Sequence, residues 1–248
     1  MEQPKILGNV EASARRSRNE RLTRLLSTLP KPISVLDVGG TTDYWATVGL
    51  PPEVFRRIVL LNTFEQATKG PFVSVIADAR DLSQYSEAQF DLVFSNSVIG
   101  HVGGFDDQLR MAREVMRVGK HFFLQTPNHG FPIDWRTLVP FFHFLPVNAQ
   151  AWCFERFPVG KYRRSRDRSE AFHLAARVRN IRRRDIHTLF PNANVEVERV
   201  LGFPKSFMIH NLPEARESRI RSAALLAPSV LSLESASYEL APQLMALV

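Results

Sequence analysis

Residues 33–40 read Ile-Ser-Val-Leu-Asp-Val-Gly-Gly, which is a short apolar run that ends in two glycines. A run of this length with β-branched residues predicts a buried strand, and the glycine pair predicts a tight turn directly after it. Pro30 and Pro32 stand before the strand and end the helical pattern of residues 11–29. The sequence therefore predicts a helix, a short break and a buried strand that leads into a glycine turn.

The same kind of apolar run recurs downstream and alternates with a helical pattern. Residues 106–118 have the apolar spacing of an amphipathic helix, which Gly119 ends. Four further strands are predicted over residues 57–61, 72–77, 90–94 and 121–125. Strands that alternate with helices pair in parallel through crossover connections, so the fold class is α/β.

After these five strands the sequence pattern changes and indicates antiparallel pairing at one edge of the sheet. Residues 181–190 have the pattern of a short helix, and residues 195–201 alternate apolar and polar side chains with a period of two. Residues 207–210 could pair with that strand in the antiparallel sense, because Gly202 and Pro204 favour a turn between the two. We therefore expect an antiparallel hairpin at this edge.

Length and composition favour one domain with additions. The 248 residues are 44% hydrophobic and 23% charged, which excludes wholesale disorder, collagen and coiled coil. The chain has neither a run of about 18 uncharged apolar residues nor an N-terminal secretion signal. Its one cysteine, Cys153, can form no intramolecular disulfide and argues against a cysteine metal site, so no metal is expected. We predict a cytoplasmic protein.

The sequence divides into three parts. We predict an N-terminal helix over residues 1–30, a main domain over residues 31–212 and an apolar extension over residues 213–248. Within the main domain, residues 131–180 form an insertion that begins with aromatic residues and prolines and ends with arginines. The extension has two charged residues after position 221 and could pack on the domain, pair with a second subunit as a homodimer, or rest on a membrane; packing is the simplest of these.

The net charge of +7 lies in one stretch. Residues 155–185 hold eleven basic and four acidic side chains, which leaves the rest of the chain neutral overall. A basic field of this kind favours an anionic partner, such as a phosphate-bearing substrate, a nucleic acid or an acidic membrane surface. A solvated arginine-rich surface is an equally good interpretation.

Polar or glycine residues follow each of the first four strands, where an open α/β sheet binds its ligands. The dinucleotide pattern G-x-G-x-x-G is broken at Thr41, and no G-K-[ST] triplet exists, so a dehydrogenase and a P-loop enzyme are disfavoured. Asn62 stands 25 residues after Asp37, a spacing at which a polar side chain is placed to bond ribose hydroxyls. The strand ends together favour a nucleoside site.

The ordered segments VLDVGG (35–40), IVLLN (58–62), IADARDL (76–82), FDLVFSNSVIGHV (90–102) and HFFLQTPN (121–128) resemble the class I S-adenosylmethionine-dependent methyltransferases, in particular their small-molecule, type 11-like branch. The resemblance covers about residues 33–128. It implies a Rossmann-like, doubly wound, mostly parallel seven-stranded sheet with an antiparallel edge hairpin, and S-adenosyl-L-methionine as cofactor.

The resemblance also assigns roles to the residues at the strand ends. Around the methionine part of the cofactor it places the first loop, with Asp37, Gly39, Gly40 and Thr41. It places Asn62 at the ribose, Asp78 at the adenine amino group with Ala79 beside it, and Ser95 with Asn96 along the cofactor floor. The sequence departs from the family in two ways: Thr41 and Asp43 replace later glycines of the first loop, and Asn62 replaces an acidic residue.

His101 follows the fourth strand, where an acceptor could meet the methyl group, and is the candidate general base for a hydroxyl or phenol. A purely structural role, in which the imidazole bonds a loop carbonyl, is the competing interpretation for His101 and for His129. His143 stands among phenylalanines and is interpreted as a packing residue. The lone Cys153 lacks the setting of a cytosine-C5 enzyme, and the N-P-P-[YF] tetrapeptide of amino-group methylation is absent, which favours oxygen or carbon acceptors.

The expected function is methyl transfer to a small or amphiphilic, lipid- or glycan-like acceptor. The aromatic residues 131–146 could wall a pocket for an apolar acceptor body, or simply cover the sheet. Two alternatives stay open: a non-catalytic module that keeps the methyltransferase fold, and an RNA methyltransferase that uses the arginine-rich stretch. Residues 177–184 hold no interleaved aromatics, so RNA ranks lower.

Overall fold

Seven strands form one mixed sheet in a computed structural model, which describes residues 5–134, 136–176, 179–200 and 202–213. The strands are β1 (Ile33–Val38), β2 (Phe55–Asn62), β3 (Phe72–Ile76), β4 (Phe90–Asn96), β5 (Gly119–Pro127), β6 (Asn194–Val200) and β7 (Phe203–His210). Their order is β3-β2-β1-β4-β5-β7-β6. The first five pair in parallel, and β7 is antiparallel to β5 and to β6. The α/β class, the seven-stranded mostly parallel sheet and the antiparallel edge hairpin are confirmed.

Strand β1 is the centre of the sheet because every one of its six side chains is buried. A strand flanked on both edges and covered on both faces reads as a continuous apolar run, and this is the pattern of residues 33–38. Asp37 is the exception in charge, and it lies level with Leu60 of β2 and Phe94 of β4. The sheet therefore holds a buried carboxyl near its centre, in β1, two residues before the first glycine of the turn.

Helices cover both faces of the sheet. They are α1 (Lys5–Leu26), α2 (Thr42–Val48), α3 (Phe105–Val118), α4 (Val147–Arg156), α5 (Arg168–Ala176) and α6 (Ile186–Leu189). Leu22 and Leu25 of α1 and Trp45 of α2 pack in the core on one face. Met111 and Val115 of α3 belong to the core on the other face, together with α6.

The insertion forms a small core of its own, away from these two. Phe142, Ala151, Phe154, Val159 and Ala171 are buried together, and they bring α4 against α5. The sequence predicted no helix in this segment, because aromatic residues and prolines hide the helical period there. The short helix α2 was likewise not predicted.

The helix predicted over residues 181–190 was wrong at its start. Only Ile186–Leu189 is α-helical, and a single 3₁₀ turn, Arg183–Asp185, precedes it. Ile181 instead makes a parallel bridge with Asn128, and its carbonyl accepts a hydrogen bond from the His129 N–H. The chain returns from the insertion as an extended segment beside the end of β5, which a local pattern cannot show.

The predicted extension over residues 213–248 lies, after Pro213, outside the described residues. Among the helices that the structure describes, none combines the length and the apolar composition that crossing a membrane requires.

Candidate active site

A cavity of about 290 Å³ opens at the carboxyl ends of β1 and β4. The strand order reverses between these two neighbours, and such a switch point is where doubly wound sheets bind ligands. The lining side chains come from α1, the glycine turn, α2 and β4: Arg15, Asp37, Gly39, Gly40, Thr41, Asp43, Tyr44, Thr47, Phe94 and Asn96. Five of the residues predicted to bind cofactor therefore lie together around one space.

The Asp37 carboxyl is the central polar group of this cavity. It is fully buried, and its Oδ2 accepts a hydrogen bond of 2.7 Å from Trp45 Nε1. Its Oδ1 has no hydrogen-bond partner among the described residues. Burial raises the pKa of Asp37 to about 7, against the smaller opposing effect of the Trp45 hydrogen bond. A buried acceptor left open beside a cavity fits a site whose ligand supplies the missing donor.

This raised pKa makes stability depend on pH. A carboxyl whose pKa is higher in the folded chain contributes stability below its ordinary value of 3.8, and loses that contribution as the pH rises towards 7. An asparagine at this position can still accept from Trp45 but cannot ionise. We expect the melting temperature of the parent to fall relative to that of Asp37→Asn between about pH 4 and pH 7. Thermal unfolding of both proteins measures this, and parallel profiles would contradict it.

The two glycines are required by close packing. Gly39 has a φ of +77°, and a Cβ there would lie 2.3 Å from Cγ2 of Val98, in the loop after β4. A Cβ on Gly40 would lie 1.7 Å from Oδ2 of Asp37. The turn thus lies directly against the buried carboxyl and the neighbouring loop. A side chain at Gly39 would point at Val98, and one at Gly40 at Asp37.

Asn62, at the end of β2, holds the glycine turn. Its Nδ2 donates to the Gly40 carbonyl at 2.9 Å, and Gln66 Nε2 donates to the same oxygen at 2.9 Å. Asn62 itself is buried and is not among the residues that line the cavity. The structure therefore connects Asn62 to the glycine turn through its hydrogen bond to the Gly40 carbonyl, a contact that the sequence did not indicate.

Ser95 and Asn96 end β4 on the far side of the cavity. Ser95 is buried, and its hydroxyl donates to the Val38 carbonyl at 3.2 Å. Asn96 lines the cavity, and its Oδ1 accepts from Arg18 Nη1 of α1 at 2.9 Å. Ser95 thus packs beneath the β1 turn, and Asn96 joins the cavity to the N-terminal helix.

Asp78 and Ala79 lie after β3, outside the cavity lining. Asp78 is half-exposed and pairs with Arg80 at 2.6 Å, and the hydrogen bonds from Arg80 hold the pKa of Asp78 below its usual range. Arg80 also reaches Asp107 of α3 at 3.2 Å. Ala79 belongs to the core under α3. These contacts fix the loop after β3 beside the amino end of α3.

Five residues that line the cavity were not predicted to bind cofactor: Arg15, Asp43, Tyr44, Thr47 and Phe94. Tyr44 stacks on Phe94 with ring centroids 5.1 Å apart, which places an aromatic wall between α2 and β4. The acidic first turn of α2, at Asp43, is the one local signal that could have revealed this helix. Arg15 comes from far along the chain, so no spacing could have placed it here.

A wider groove of about 880 Å³ runs along α1 and shares Arg15 and Thr47 with this cavity. It is open to solvent and is lined mostly by side chains of α1, with Ser27 and two residues of α2, Thr47 and Val48. Since no strand residue lines this groove, the smaller cavity at the carboxyl ends of the sheet is the candidate active site.

His101 lies in a 3₁₀ turn after β4, Ile99–His101, and contacts the insertion. Its Nε2 is 3.2 Å from Nη1 of Arg136. Arg136 is nearly fully buried and pairs with Asp134 at 2.7 Å. Burial opposes ionisation of Asp134, but the Arg136 guanidinium and the Asn180 amide outweigh it and lower the pKa of Asp134. Because a guanidinium only donates, this contact presents Nε2 as an unprotonated acceptor.

The other two histidines of this region contact each other. His143 Nε2 lies 3.0 Å from the His129 carbonyl oxygen, and their rings are 5.5 Å apart. Burial, reinforced by the nearby Arg182, lowers the pKa of His129. His143 also packs on Phe144, with ring centroids 4.2 Å apart, which agrees with its interpretation as a packing residue.

Comparisons with known proteins agree with this fold. A family model described as a methyltransferase domain matches residues 11–200. No curated protein matches the chain. Among solved structures, magnesium protoporphyrin IX methyltransferase from Synechocystis, with bound S-adenosylhomocysteine, has a TM-score of 0.50 at 9% identity, over 85% of this chain and 88% of that one.

Two further solved structures are similar at lower TM-scores. One is the 1,6-didemethyltoxoflavin-N1-methyltransferase of Burkholderia thailandensis, at 0.47 and 13% identity over 80% of this chain and 75% of that one. The other is a methyltransferase from Methanosarcina mazei, at 0.43 and 15% identity over 74% and 93%. At such identities the structural likeness concerns the fold, whereas the family model covers most of the sequence. The chain therefore belongs to the methyltransferase domain family and is a class I S-adenosylmethionine-dependent methyltransferase.

Proposed function

We propose that this enzyme methylates an oxygen atom of a small, amphiphilic, lipid- or glycan-like acceptor. The observation that carries the proposal is the contact between His101 and Arg136. It supports an imidazole with an unprotonated nitrogen after β4, the strand whose end also lines the cavity. A hydroxyl acceptor must lose a proton during transfer, and a neutral imidazole can take it.

S-Adenosylmethionine supplies an electrophilic methyl group on a sulfonium, and the chain has to bind and orient it. The residues of the cavity fit this group. Oδ1 of Asp37 offers a buried acceptor with no hydrogen-bond partner in the part of the chain that the structure describes, and Asn96 adds an amide at the cavity wall. Gly39, Gly40 and Thr41 leave backbone without bulky side chains along the same side. We assign Asp37 and the residues of the turn to the methionine part of the donor, and Asn96 to the floor beneath it.

The remaining assignments concern the nucleoside part. We assign Asn62 to the ribose edge, where it also holds the Gly40 carbonyl, and Asp78 with Ala79 to the adenine end. Ser95 supports the floor, since its hydroxyl is occupied by the Val38 carbonyl. The absence of an acidic residue at position 62 leaves the ribose contact to an amide, which can both donate and accept.

His101 would act on the acceptor. For proton transfer the acceptor hydroxyl has to replace Arg136 at Nε2, because the lone pair cannot serve both groups at once. Arg136 stays fixed by Asp134 and Asn180 during such an exchange. Its charge would then lie beside the newly formed imidazolium and favour return of the proton to solvent.

The insertion supports the amphiphilic character of the acceptor. It supplies Arg136 to the candidate base and also exposes several aromatic side chains, among them Phe141 and Phe144. An apolar body with a carboxylate, phosphate or sugar matches such a surface better than a wholly polar metabolite does.

Two measurements test the proposal. Calorimetric titration with S-adenosylmethionine and S-adenosylhomocysteine should show binding of both. Transfer of tritiated methyl from S-adenosylmethionine to a panel of hydroxylated amphiphiles, with their O-blocked analogues as matched controls, should label the free hydroxyl compounds alone. Failure to bind either nucleoside at millimolar concentration would favour the non-catalytic module. Labelling of RNA in place of the panel would favour the RNA methyltransferase.

A further inference from the structure

An exposed apolar patch lies on the insertion. Of the twelve large apolar side chains that are strongly exposed in the described part of the chain, seven lie within residues 139–157. We call these seven the apolar patch: Val139, Phe141, Phe144, Leu145, Val147, Trp152 and Phe157. Single exposed apolar residues are ordinary, but such a concentration marks an interaction surface.

The patch is built on a supported base. Beneath it Phe142 and Phe154 are buried against each other, with ring centroids 5.3 Å apart. Trp152 lies on the opposite side of α4 from Phe154, half-exposed, and contacts Phe157 with centroids 6.1 Å apart. The insertion therefore has a buried core of its own, and the exposed side chains of the patch are not part of that core.

Cations border the patch. Residues 139–168 hold six basic and two acidic side chains, which gives this segment a net charge of +4. The guanidinium of Arg156 lies 5.3 Å from the Trp152 ring, and Arg163, Arg164 and Arg166 follow as exposed residues. Exposed apolar side chains in one segment with exposed arginines match the chemistry of an anionic bilayer surface, where apolar groups enter the acyl boundary and cations meet phosphate.

We propose that the apolar patch docks this protein on an anionic lipid bilayer. Two copies of the patch would bring two positive segments together, which disfavours self-association. Val139, Leu145 and Val147 offer no stacking surface for bases, and most of the cations follow the aromatics instead of alternating with them, which disfavours RNA. An anionic bilayer satisfies both the exposed apolar side chains and the basic side chains of the same segment.

The patch also lies close to the candidate acceptor side of the sheet. Phe144 contacts His129, two residues after the end of β5, with ring centroids 5.3 Å apart. The same insertion supplies Arg136 to His101. A membrane-bound enzyme would thus face the bilayer near the carboxyl ends of β4 and β5. The docking itself requires no methyl transfer, so it stands or falls independently of the proposed function.

Vesicle co-sedimentation of the full chain tests the docking. We expect binding to vesicles of phosphatidylcholine with phosphatidylglycerol, weak binding to phosphatidylcholine alone, and a loss of binding as salt is raised. Trp152→Ser combined with Phe157→Ser should weaken binding at least about tenfold, because it removes the largest apolar groups of the patch. Phe64→Ser is the control, since Phe64 is equally exposed but lies outside the insertion.

A charge variant and a spectroscopic signal provide independent checks. Arg163→Glu with Arg164→Glu should also weaken binding, whereas Arg56→Glu with Arg113→Glu makes the same change in net charge elsewhere and should have much less effect. Tryptophan emission should shift to the blue on vesicles, and Trp152→Phe should remove most of that shift. No binding to anionic vesicles at low salt would overturn the proposal. So would equal losses in patch and control variants, or a dimer or an RNA complex that the patch variants abolish while vesicle binding persists.

Discussion

Gly40→Ala is expected to weaken binding of S-adenosylhomocysteine at least about 100-fold, which corresponds to about 2.7 kcal/mol. The new Cβ would lie 1.7 Å from Asp37 Oδ2, so the carboxyl or the turn has to move. Either movement breaks the 2.7 Å hydrogen bond from Trp45 or the contacts of Asn62 and Gln66 with the Gly40 carbonyl. The cavity wall and its buried acceptor would then lose their arrangement together.

The matched control for this substitution is Gly104→Ala. Gly104 stands before α3 with a φ of −74°, and a Cβ there meets nothing within 4 Å. Its alanine variant should bind the nucleoside as the parent does. Calorimetry on both variants, with circular dichroism to verify folding, gives the comparison. A folded Gly40→Ala protein with parental affinity would mean that the cofactor does not use this turn.

The strands and their ends could be predicted because their signals are local. Each central strand is a continuous apolar run, and parallel strands bring their carboxyl ends to one edge whatever the loops between them do. Asp37, Gly39, Gly40, Thr41 and Asn96 were therefore assigned to one region from sequence alone, and the structure places them around one cavity.

What could not be predicted depends on contacts between distant parts of the chain. Arg15 reaches the cavity because α1 packs across the sheet through Leu22 and Leu25, and its position depends on that packing. Arg136 reaches His101 because the insertion returns beside the end of β5, at the bridge between Asn128 and Ile181. Neither arrangement leaves a spacing in the sequence.

The helices of the insertion were missed for a different reason. In α4 the buried positions Ala151 and Phe154 stand beside the exposed Trp152, so apolar residues occupy both sides of the helix. A helical period is visible only where one face is polar. The outward apolar residues that hide the period are the ones to which we assign the bilayer, so the failure of the pattern and the proposed surface have one cause.

His101→Ala is expected to lower turnover of a hydroxyl acceptor by roughly 10²–10⁴-fold, the usual contribution of a general base. Affinity for S-adenosylhomocysteine should stay near the parental value, because His101 is not among the residues that line the cavity to which we assign the cofactor. The parent should show a rate that rises with pH as an imidazole loses its proton, and the variant should lack that rise. His187→Ala removes an exposed histidine of α6 and is the control.

The acceptor for this experiment is the panel compound that receives the tritiated methyl group. A second variant, at Arg136, tests whether the imidazole acts as the base. If the Arg136 contact keeps Nε2 unprotonated, Arg136→Lys should shift the rising limb of the pH–rate profile, because an ammonium cannot reproduce the fixed guanidinium fork. If His101 has only a structural role, the rising limb of the pH–rate profile should be the same in the parent, in His101→Ala and in Arg136→Lys. Turnover at the parental rate in a folded His101→Ala protein would remove His101 from the reaction, and alignment of donor and acceptor would then supply the rate by itself.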